Sequence, residues 1–259
     1  MALDLLGELA DRISSCTACP RLVAWRQAVA ASPPPSFAGQ RYWARPVPGT
    51  GDPHARLVVV GLAPAAHGGN RTGRMFTGDR SGDFLVAGLH RAGLANQPVS
   101  ISCDDGLELR DTYLTAPVRC APPDNRPTPT ERDSCLGYLA EELSLLSEAR
   151  VYLALGAFAY DALRRLAPVV GAPPAPRPKF GHGTAVPLSS GRTVVCSYHP
   201  SQRNVFTGLL DAAMFDAVLA LAKTLCETPP ASPPPSGARD RDAPRTGRRR
   251  FWPAAPAHP

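Results

Sequence analysis

The chain has 259 residues, 44% of them hydrophobic, and a formal net charge of +6 at pH 7. It is long enough to bury one substantial core, and no apolar run approaches the roughly 18 residues needed to span a bilayer. Only two residues, Lys179 and Lys223, are lysines, and neither lies in the glycine-rich loop described below. This disfavours a P-loop and offers little to Schiff-base chemistry.

Thirty prolines bear on the domain organisation. They concentrate in residues 33–53 and after Glu227, where Pro, Ser, Ala and Arg dominate and no apolar period survives. We therefore predict one domain over residues 1–226, with a flexible proline-rich insertion at about 31–54. Residues 227–259 are predicted to form a disordered tail.

The N-terminus carries Asp4 and Glu8 within its first ten residues, unlike a signal peptide. We therefore expect a soluble cytoplasmic protein without a membrane segment. Seven cysteines in a reducing compartment favour metal binding or buried thiols over a disulfide framework.

Four short apolar segments alternate with helical patterns along the chain. The predicted strands cover 57–60, 113–116, 151–155 and 193–197, and after two N-terminal helices the predicted helices cover 81–91, 128–147, 158–166 and 211–225. Strands that alternate with helices predict parallel pairing and a three-layer α/β/α sandwich.

The first strand leads into a long loop that holds five glycines and several polar side chains. Ligands of open α/β sheets bind at the carboxyl ends of strands, where glycines let backbone amides approach them closely. We therefore interpret the loop as the candidate active site, against the alternative of an ordinary long βα loop. Its glycines are Gly61, Gly68, Gly69, Gly73 and Gly78.

Four cysteines fall into two pairs, Cys16 with Cys19 and Cys120 with Cys135. Two residues between thiolates let one turn wrap a metal, so the four predict a site for zinc or for an iron–sulfur cluster. The other three, which stand alone, are expected to be buried apolar thiols: Cys103, Cys196 and Cys226.

Four further residues have both a structural and a functional interpretation. Asp79 precedes a helix and is either its N-cap or a catalytic acid. His199 follows a strand and is either a hydrogen-bond donor to a ligand or structural. Asn204 is a turn residue or a polar anchor, and Phe76 is interpreted as a stacking platform for a planar ligand.

Two motifs and the cysteine framework together resemble the family 5 uracil-DNA glycosylases. The motifs are GLAPAAHGGNRTGR with FTGD at residues 61–79, and HPSQRN at residues 199–204. The resemblance covers about residues 1–226 and excludes the tail and most of the insertion.

The resemblance implies a central four-stranded parallel sheet and a 4Fe-4S cluster bound by Cys16, Cys19, Cys120 and Cys135. It also implies hydrolysis of the N-glycosidic bond of damaged bases in DNA. Because no lysine is placed to attack the sugar, we predict a monofunctional enzyme. We expect it to act as a monomer on double-stranded and single-stranded DNA. Asp79 and His199 would be catalytic. The remaining predicted base contacts come from both motifs: Gly61, Leu62, Ala63, Ala65, Phe76 and Asn204.

The resemblance also bears on specificity. Family 4 enzymes read the uracil edge with an asparagine at the position of Ala116, and families 1 and 4 carry an acid at Ala63 and Leu62, respectively. Losing the asparagine predicts activity on hypoxanthine as well as uracil. Three alternatives stay open: a strict uracil enzyme, a non-catalytic iron–sulfur DNA-binding module, and a zinc-bound nucleotide hydrolase.

Overall fold

The computed structural model describes residues 2–176 and 178–228. The predicted tail lies outside the described residues, apart from Glu227 and Thr228. None of the described helices combines the length and apolarity needed to cross a bilayer.

The centre of the fold is one mixed β-sheet in the order β1-β3-β2-β4-β6-β5. Its inner strands β3, β2, β4 and β6 pair in parallel. The short outer strands β1 and β5 add antiparallel edges that the sequence did not predict. The strands cover Thr50–Gly51 (β1), Leu57–Val60 (β2), Thr112–Thr115 (β3), Val151–Leu155 (β4), Ala185–Pro187 (β5) and Thr193–Ser197 (β6).

Both faces of this sheet are covered, which makes the fold the predicted α/β/α sandwich. All four residues of β2 are buried. Leu57 and Val59 pack into one core, and Val58 and Val60 pack into the other. Because side chains alternate between the faces of a strand, a continuous apolar run is what a doubly covered strand requires.

Nine α-helices surround the sheet within the described part of the chain. Helices α4 and α9 contribute to the first core, and α5 and α6 contribute to the second. They cover Ala2–Ser15 (α1), Pro20–Ala31 (α2), Gly69–Thr72 (α3), Arg80–Arg91 (α4), Pro129–Leu145 (α5), Ala157–Arg165 (α6), Ala167–Val170 (α7), Gln202–Phe206 (α8) and Ala212–Glu227 (α9).

Helix starts follow their local sequence signals. Thr128 caps α5 and forms the predicted capping box with Glu131, since each side chain bonds the other residue's backbone N–H. Helix α4 is followed by Gly93 at φ +76°, the left-handed conformation expected after a helix end. The sequence did not predict α3, α7 and α8, which have four or five residues each.

The proline-rich segment 31–54 packs against the glycine-rich loop. Val47 is fully buried and Tyr42 is nearly so. The backbone N–H groups of Trp43 and Ala44 donate to the carbonyls of Arg71 and Asn70 at 2.9 and 3.0 Å. These contacts come from backbone groups and a few apolar side chains, which composition alone does not reveal. The predicted flexibility of the segment stays a prediction.

Candidate functional site

A cleft of about 770 Å³ opens at the carboxyl ends of the parallel strands. Residues that follow β2, β3 and β6 line it, because the carboxyl ends of parallel strands meet at one edge of the sheet. Six residues of the predicted site line this cleft, and Ala116 lines it with them. The six are Leu62, Ala63, Ala65, Phe76, Asp79 and His199. Gly61 and Asn204 are not among its lining residues.

Gly61 lies behind the ring of Phe76 and does not line the cleft. Its N–H donates to the carbonyl of Thr115 at 2.8 Å, so this amide is already engaged. A β-carbon placed on Gly61 would stand 2.5 Å from Cζ of Phe76. The N–H of Gly61 is therefore not available to a ligand in this structure, and its predicted place among the substrate contacts stays a prediction. The lack of a side chain on this glycine leaves room for the phenyl ring.

Phe76 has a left-handed backbone, with φ at +52°. Only glycine adopts this region without cost, so the surroundings must hold the residue there. Helix α4 contributes to this, because a β-carbon at Gly82 would stand 2.2 Å from the carbonyl oxygen of Phe76. The half-buried ring lines the cleft with the first core beneath it.

Asp79 is the N-cap of α4 and also lines the cleft. Its Oδ1 accepts hydrogen bonds from the N–H groups of Ser81 and Gly82 at 2.9 and 3.0 Å. Its Oδ2 lies against Gly68, where a β-carbon would stand 1.9 Å away. Burial raises the pKa of Asp79, opposed by the two N–H donors. The predicted N-cap is therefore confirmed through one carboxylate oxygen, while the other oxygen remains available and the catalytic role stays a prediction.

His199 follows β6 and lines the same cleft as Asp79. Burial lowers the pKa of His199 to about 4, because the surroundings disfavour the charged imidazolium. The ring is therefore neutral near pH 7 and retains one N–H donor.

Asn204 holds the backbone of His199. Its Nδ2 donates to the carbonyl of His199 at 2.8 Å, and its own N–H donates to Oγ of Ser201 at 3.3 Å. The predicted role of Asn204 as a substrate contact stays a prediction. The side chain fixes the turn that presents the histidine.

The turn after β2 offers unpaired backbone donors. Within the described residues, the N–H groups of Leu62, Ala63 and Ala65 donate to no protein acceptor. All three residues line the cleft. Backbone amides in such an array can stabilise negative charge that develops on a bound group.

The proline-rich segment completes one side of the cleft, which the sequence did not predict. Phe37 lines it, as does His67 from the glycine-rich loop. The two rings stack at 5.6 Å between centroids, and the hydroxyl of Tyr42 lies 2.8 Å from Nδ1 of His67. The aromatic residues in this segment, which is otherwise rich in Pro, Ser and Gly, were the sequence feature from which its place at the cleft could have been predicted.

The four predicted metal ligands line one small cavity between α2 and the first turns of α5. They are Cys16, Cys19, Cys120 and Cys135. Among the described residues, no three His, Cys, Asp or Glu side chains lie close enough together to hold one metal ion.

The side chain of Arg26 provides positive charge at this cavity. It is 4% exposed, its Nη1 donates to Sγ of Cys120 at 2.8 Å, and its Nη2 donates to the carbonyl of Cys16 at 3.3 Å. Its Nε has no partner within the described structure. Since a buried guanidinium without a carboxylate is costly, the site suits a group that gives the thiols negative charge.

The three remaining cysteines differ from one another. Cys196 and Cys226 are buried as predicted, whereas Cys103 is exposed, so the prediction for Cys103 is wrong. Cys103 lies in the loop between α4 and β3, and its carbonyl, not its thiol, contacts Arg74.

Comparisons with known proteins agree on one family. The model of the Uracil DNA glycosylase superfamily matches residues 48–223. The type-5 uracil-DNA glycosylase of Mycobacterium tuberculosis (strain CDC 1551 / Oshkosh) is 54% identical over 219 residues, which is 84% of this chain and 81% of that protein. That of Mycobacterium leprae is 53% identical over 221 residues, 85% of this chain and 95% of the relative. That of Thermus thermophilus is 53% identical over 213 residues, 82% of this chain and 94% of the relative.

Proposed function

The chain belongs to the uracil-DNA glycosylase superfamily and to its type-5 enzymes, and from this premise we propose that it excises uracil from DNA. The reaction is hydrolysis of the N-glycosidic bond, which leaves an abasic site. The observation that carries the proposal is the collection of Phe76, Asp79 and His199 around one cleft at the sheet edge.

The target base must leave the duplex before it reaches this cleft. Rotating a base out of the stack costs a few kcal/mol, and least for a mismatched lesion such as uracil opposite guanine. Phe76 would receive the extruded ring by stacking, which contributes about 1–3 kcal/mol per base. Gly61 supports this role because it has no side chain and so leaves room for the phenyl ring at the base of the cleft.

Bond cleavage places negative charge on the departing base. The N–H groups of Leu62, Ala63 and Ala65 and the neutral ring of His199 are the available donors for its oxygens. Each donor aimed at developing charge contributes roughly 3–4 kcal/mol to the transition state. A neutral histidine donates without requiring a proton from solvent.

Cleavage also places positive charge on the sugar. The free Oδ2 of Asp79 would stabilise this cation and orient the attacking water. Oδ1 stays on the helix N-terminus, so the carboxylate is held at a fixed position during the reaction.

We propose that the base pocket is broad and accepts hypoxanthine. Ala116 is buried at the cleft and has no polar group with which to read the base edge. Specificity of this kind arises when a buried polar group would be left unpaired by the wrong base, and alanine imposes no such penalty.

The enzyme should be monofunctional, since an amine nucleophile would be required to cleave the sugar–phosphate backbone through a Schiff base. Lys223 lies on α9 and donates to the carbonyl of Ala92 at 2.6 Å. Neither Lys223 nor Lys179 lines the cleft. Borohydride trapping of a covalent adduct with DNA would contradict this part of the proposal.

The four cysteines around Arg26 are proposed to hold a 4Fe-4S cluster. Two features support a negatively charged group at this site: the four thiols line one cavity, and a buried cation faces them. When bound, the cluster would supply negative charge and a crosslink between the N-terminal segment and the loop after β3. Its role in this proposal is structural.

The test combines a visible absorption spectrum of anaerobically purified protein with single-turnover cleavage of U·G and hypoxanthine·T duplexes. A band near 400 nm, where thiolate-ligated iron–sulfur clusters absorb, with abasic product from both duplexes supports the full proposal. Cleavage of uracil alone identifies a strict uracil enzyme, and a coloured protein without cleavage identifies a binding module. A colourless, active protein contradicts the iron–sulfur cluster and leaves zinc as the alternative.

A further inference from the structure

Tyr42 and His67 form a hydrogen-bonded pair at the cleft, and part of this pair lies outside the family-matched span. The Tyr42 hydroxyl and Nδ1 of His67 are 2.8 Å apart. Tyr42 precedes residue 48, where the match to the family model begins. His67 lines the cleft, whereas Tyr42 lies behind it and is only 8% exposed.

The ring of His67 is fixed by further contacts. It stacks with Phe37 at an interplanar angle of 22°, and Arg71 lies over the Phe37 ring at 4.6 Å. Nε of Arg71 donates to the carbonyl of His67 at 2.7 Å. The imidazole is therefore held by its neighbours, and its Nε2 has no partner within the described residues.

The direction of the hydrogen bond follows from the chemistry of the two groups. Burial raises the pKa of Tyr42, so the phenol keeps its proton. That proton has no acceptor in the described structure other than Nδ1 of His67. When the hydroxyl donates to Nδ1, the neutral imidazole carries its proton on Nε2.

The position of His67 indicates which part of the substrate it meets. The next residue in the chain is Gly68, which lies against Oδ2 of Asp79. In the proposed function, on which this inference rests, Asp79 serves the sugar, while Phe76 and Ala116 serve the base. Because His67 shares the cleft with Asp79 and directly precedes Gly68, we place its donor on the side of the sugar and its attached phosphates.

We infer that His67 is a substrate-binding residue that donates from Nε2 to a DNA phosphate beside the extruded nucleotide. Tyr42 is its positioning residue and fixes the tautomer. Hydrogen bonds to a charged oxygen are about twice as strong as neutral ones, so one fixed neutral donor can contribute substantially to binding.

The experiment uses Tyr42→Phe, His67→Ala and His67→Gln in the full chain, with His90→Ala, an exposed histidine on α4, as control. Single-turnover rates are measured against enzyme concentration on a U·G duplex, which separates binding from chemistry. We expect His67→Ala to weaken binding about tenfold with a small change in the saturating rate. His67→Gln restores part of the loss because its amide donates from a similar position. Tyr42→Phe alone weakens binding. Combined with His67→Ala, it causes no further loss of binding.

The phosphate is identified with duplexes that carry one neutral methylphosphonate, either 5′ or 3′ of the deoxyuridine. One of the two should weaken wild-type binding and have little further effect on His67→Ala. Equal effects of each methylphosphonate on both proteins would overturn the inference. A wild-type protein that cleaves uracil with unchanged binding in Tyr42→Phe and His67→Ala would also overturn it, while leaving the glycosylase proposal intact. Absence of wild-type cleavage would count against the proposed function instead.

Discussion

The phenyl ring of Phe76 occupies the space that a side chain on Gly61 would need. A β-carbon there would stand 2.5 Å from Cζ and 3.1 Å from Cε2 of the ring. The glycine at the end of β2 and the aromatic residue fifteen positions later thus form one structural unit. This unit lies at the floor of the cleft.

Gly61→Ala should therefore reduce excision by displacing Phe76. Because base stacking on an aromatic ring contributes about 1–3 kcal/mol, we expect a loss of roughly tenfold or more in the single-turnover rate. In a Phe76→Ala background the same change should cost less than about threefold, since the ring that it displaces is gone. Gly137→Ala on α5, where a β-carbon meets nothing within 4 Å, is the control and should leave activity unchanged. Equal losses in both backgrounds would contradict the steric explanation.

Asp79→Asn should abolish most activity without lowering stability. The buried carboxylate has a raised pKa, so the folded protein binds its proton more tightly than the unfolded chain does. Ionised Asp79 is therefore destabilising at pH 7, and asparagine removes that charge while keeping an oxygen for the helix cap. We expect an unchanged or higher Tm with a rate reduced by about 100-fold or more.

Two further variants separate the helix-capping role of Asp79 from its proposed role in catalysis. Asp79→Ala should lose about 1 kcal/mol of unfolding free energy together with activity. Asp211, the N-cap of α9, accepts a hydrogen bond from the N–H of Met214 at 2.8 Å and is exposed. Asp211→Ala should cost a similar free energy and leave excision unchanged. If Asp79→Asn retains the wild-type rate, Asp79 has no catalytic role.

His199 should make the fold sensitive to acid. Its pKa is about 4 when folded, below the ordinary value of 6.5, so the unfolded chain takes up the proton first as the pH falls. The stability contribution of neutral His199 is therefore present above pH 6.5 and is lost between 6.5 and about 4. We measure the free energy of unfolding in urea at pH 7 and at pH 4.5. Between these two pH values it should fall by about 2–3 kcal/mol more for the wild type than for His199→Gln. His90→Gln serves as control because His90 is exposed. A wild-type loss no larger than that of His199→Gln would contradict the low pKa.

The sequence predicted the parallel centre of the sheet because its strands consist of runs that are buried on both faces. It missed the edges β1 and β5 because they have two and three residues, including Gly51 and Pro187, and show no apolar run. Asp79, Phe76 and His199 were predictable because each sits within a motif next to a strand or helix end. Phe37 was not, because its place in the cleft depends on long-range packing of a proline-rich segment.

The hydrogen bond that Asn204 makes was not predictable for a related reason. A side-chain amide can serve a ligand or a nearby carbonyl equally well, and the sequence does not reveal the local turn that brings Nδ2 to the carbonyl of His199. The sequence likewise does not reveal that the N–H of Gly61 is engaged by the carbonyl of Thr115. Both cases concern how hydrogen-bonding groups are used, and periodicity and composition carry no information on that.

The turn that carries Phe76 is held from outside by a buried ion pair between Arg74 and Asp105. Nη2 of Arg74 lies 2.7 and 2.8 Å from the two carboxylate oxygens, and both side chains are 10% exposed. The same guanidinium donates to Oγ of Ser100 at 3.0 Å and to Oγ1 of Thr77 at 2.9 Å. Next to these contacts, the N–H of Gly78 donates to the carbonyl of Ser100 at 2.7 Å.

Asp105→Asn should therefore destabilise both the loop that carries Asp105 and the turn that carries Phe76. Removing one partner leaves a buried guanidinium without its counter-charge, which costs about 3 kcal/mol. The Gly78 amide should exchange its hydrogen faster, and the rate of uracil excision should fall in parallel because Phe76 loses its fixed position. The matched control is Asp216→Asn, which breaks the pair with Arg91, whose side chains are 42% and 41% exposed. That exposed pair should contribute less than about 1 kcal/mol and have no effect on Gly78 or on activity. If both variants lose similar stability and Gly78 exchange is unchanged, the Arg74–Asp105 pair does not support the turn.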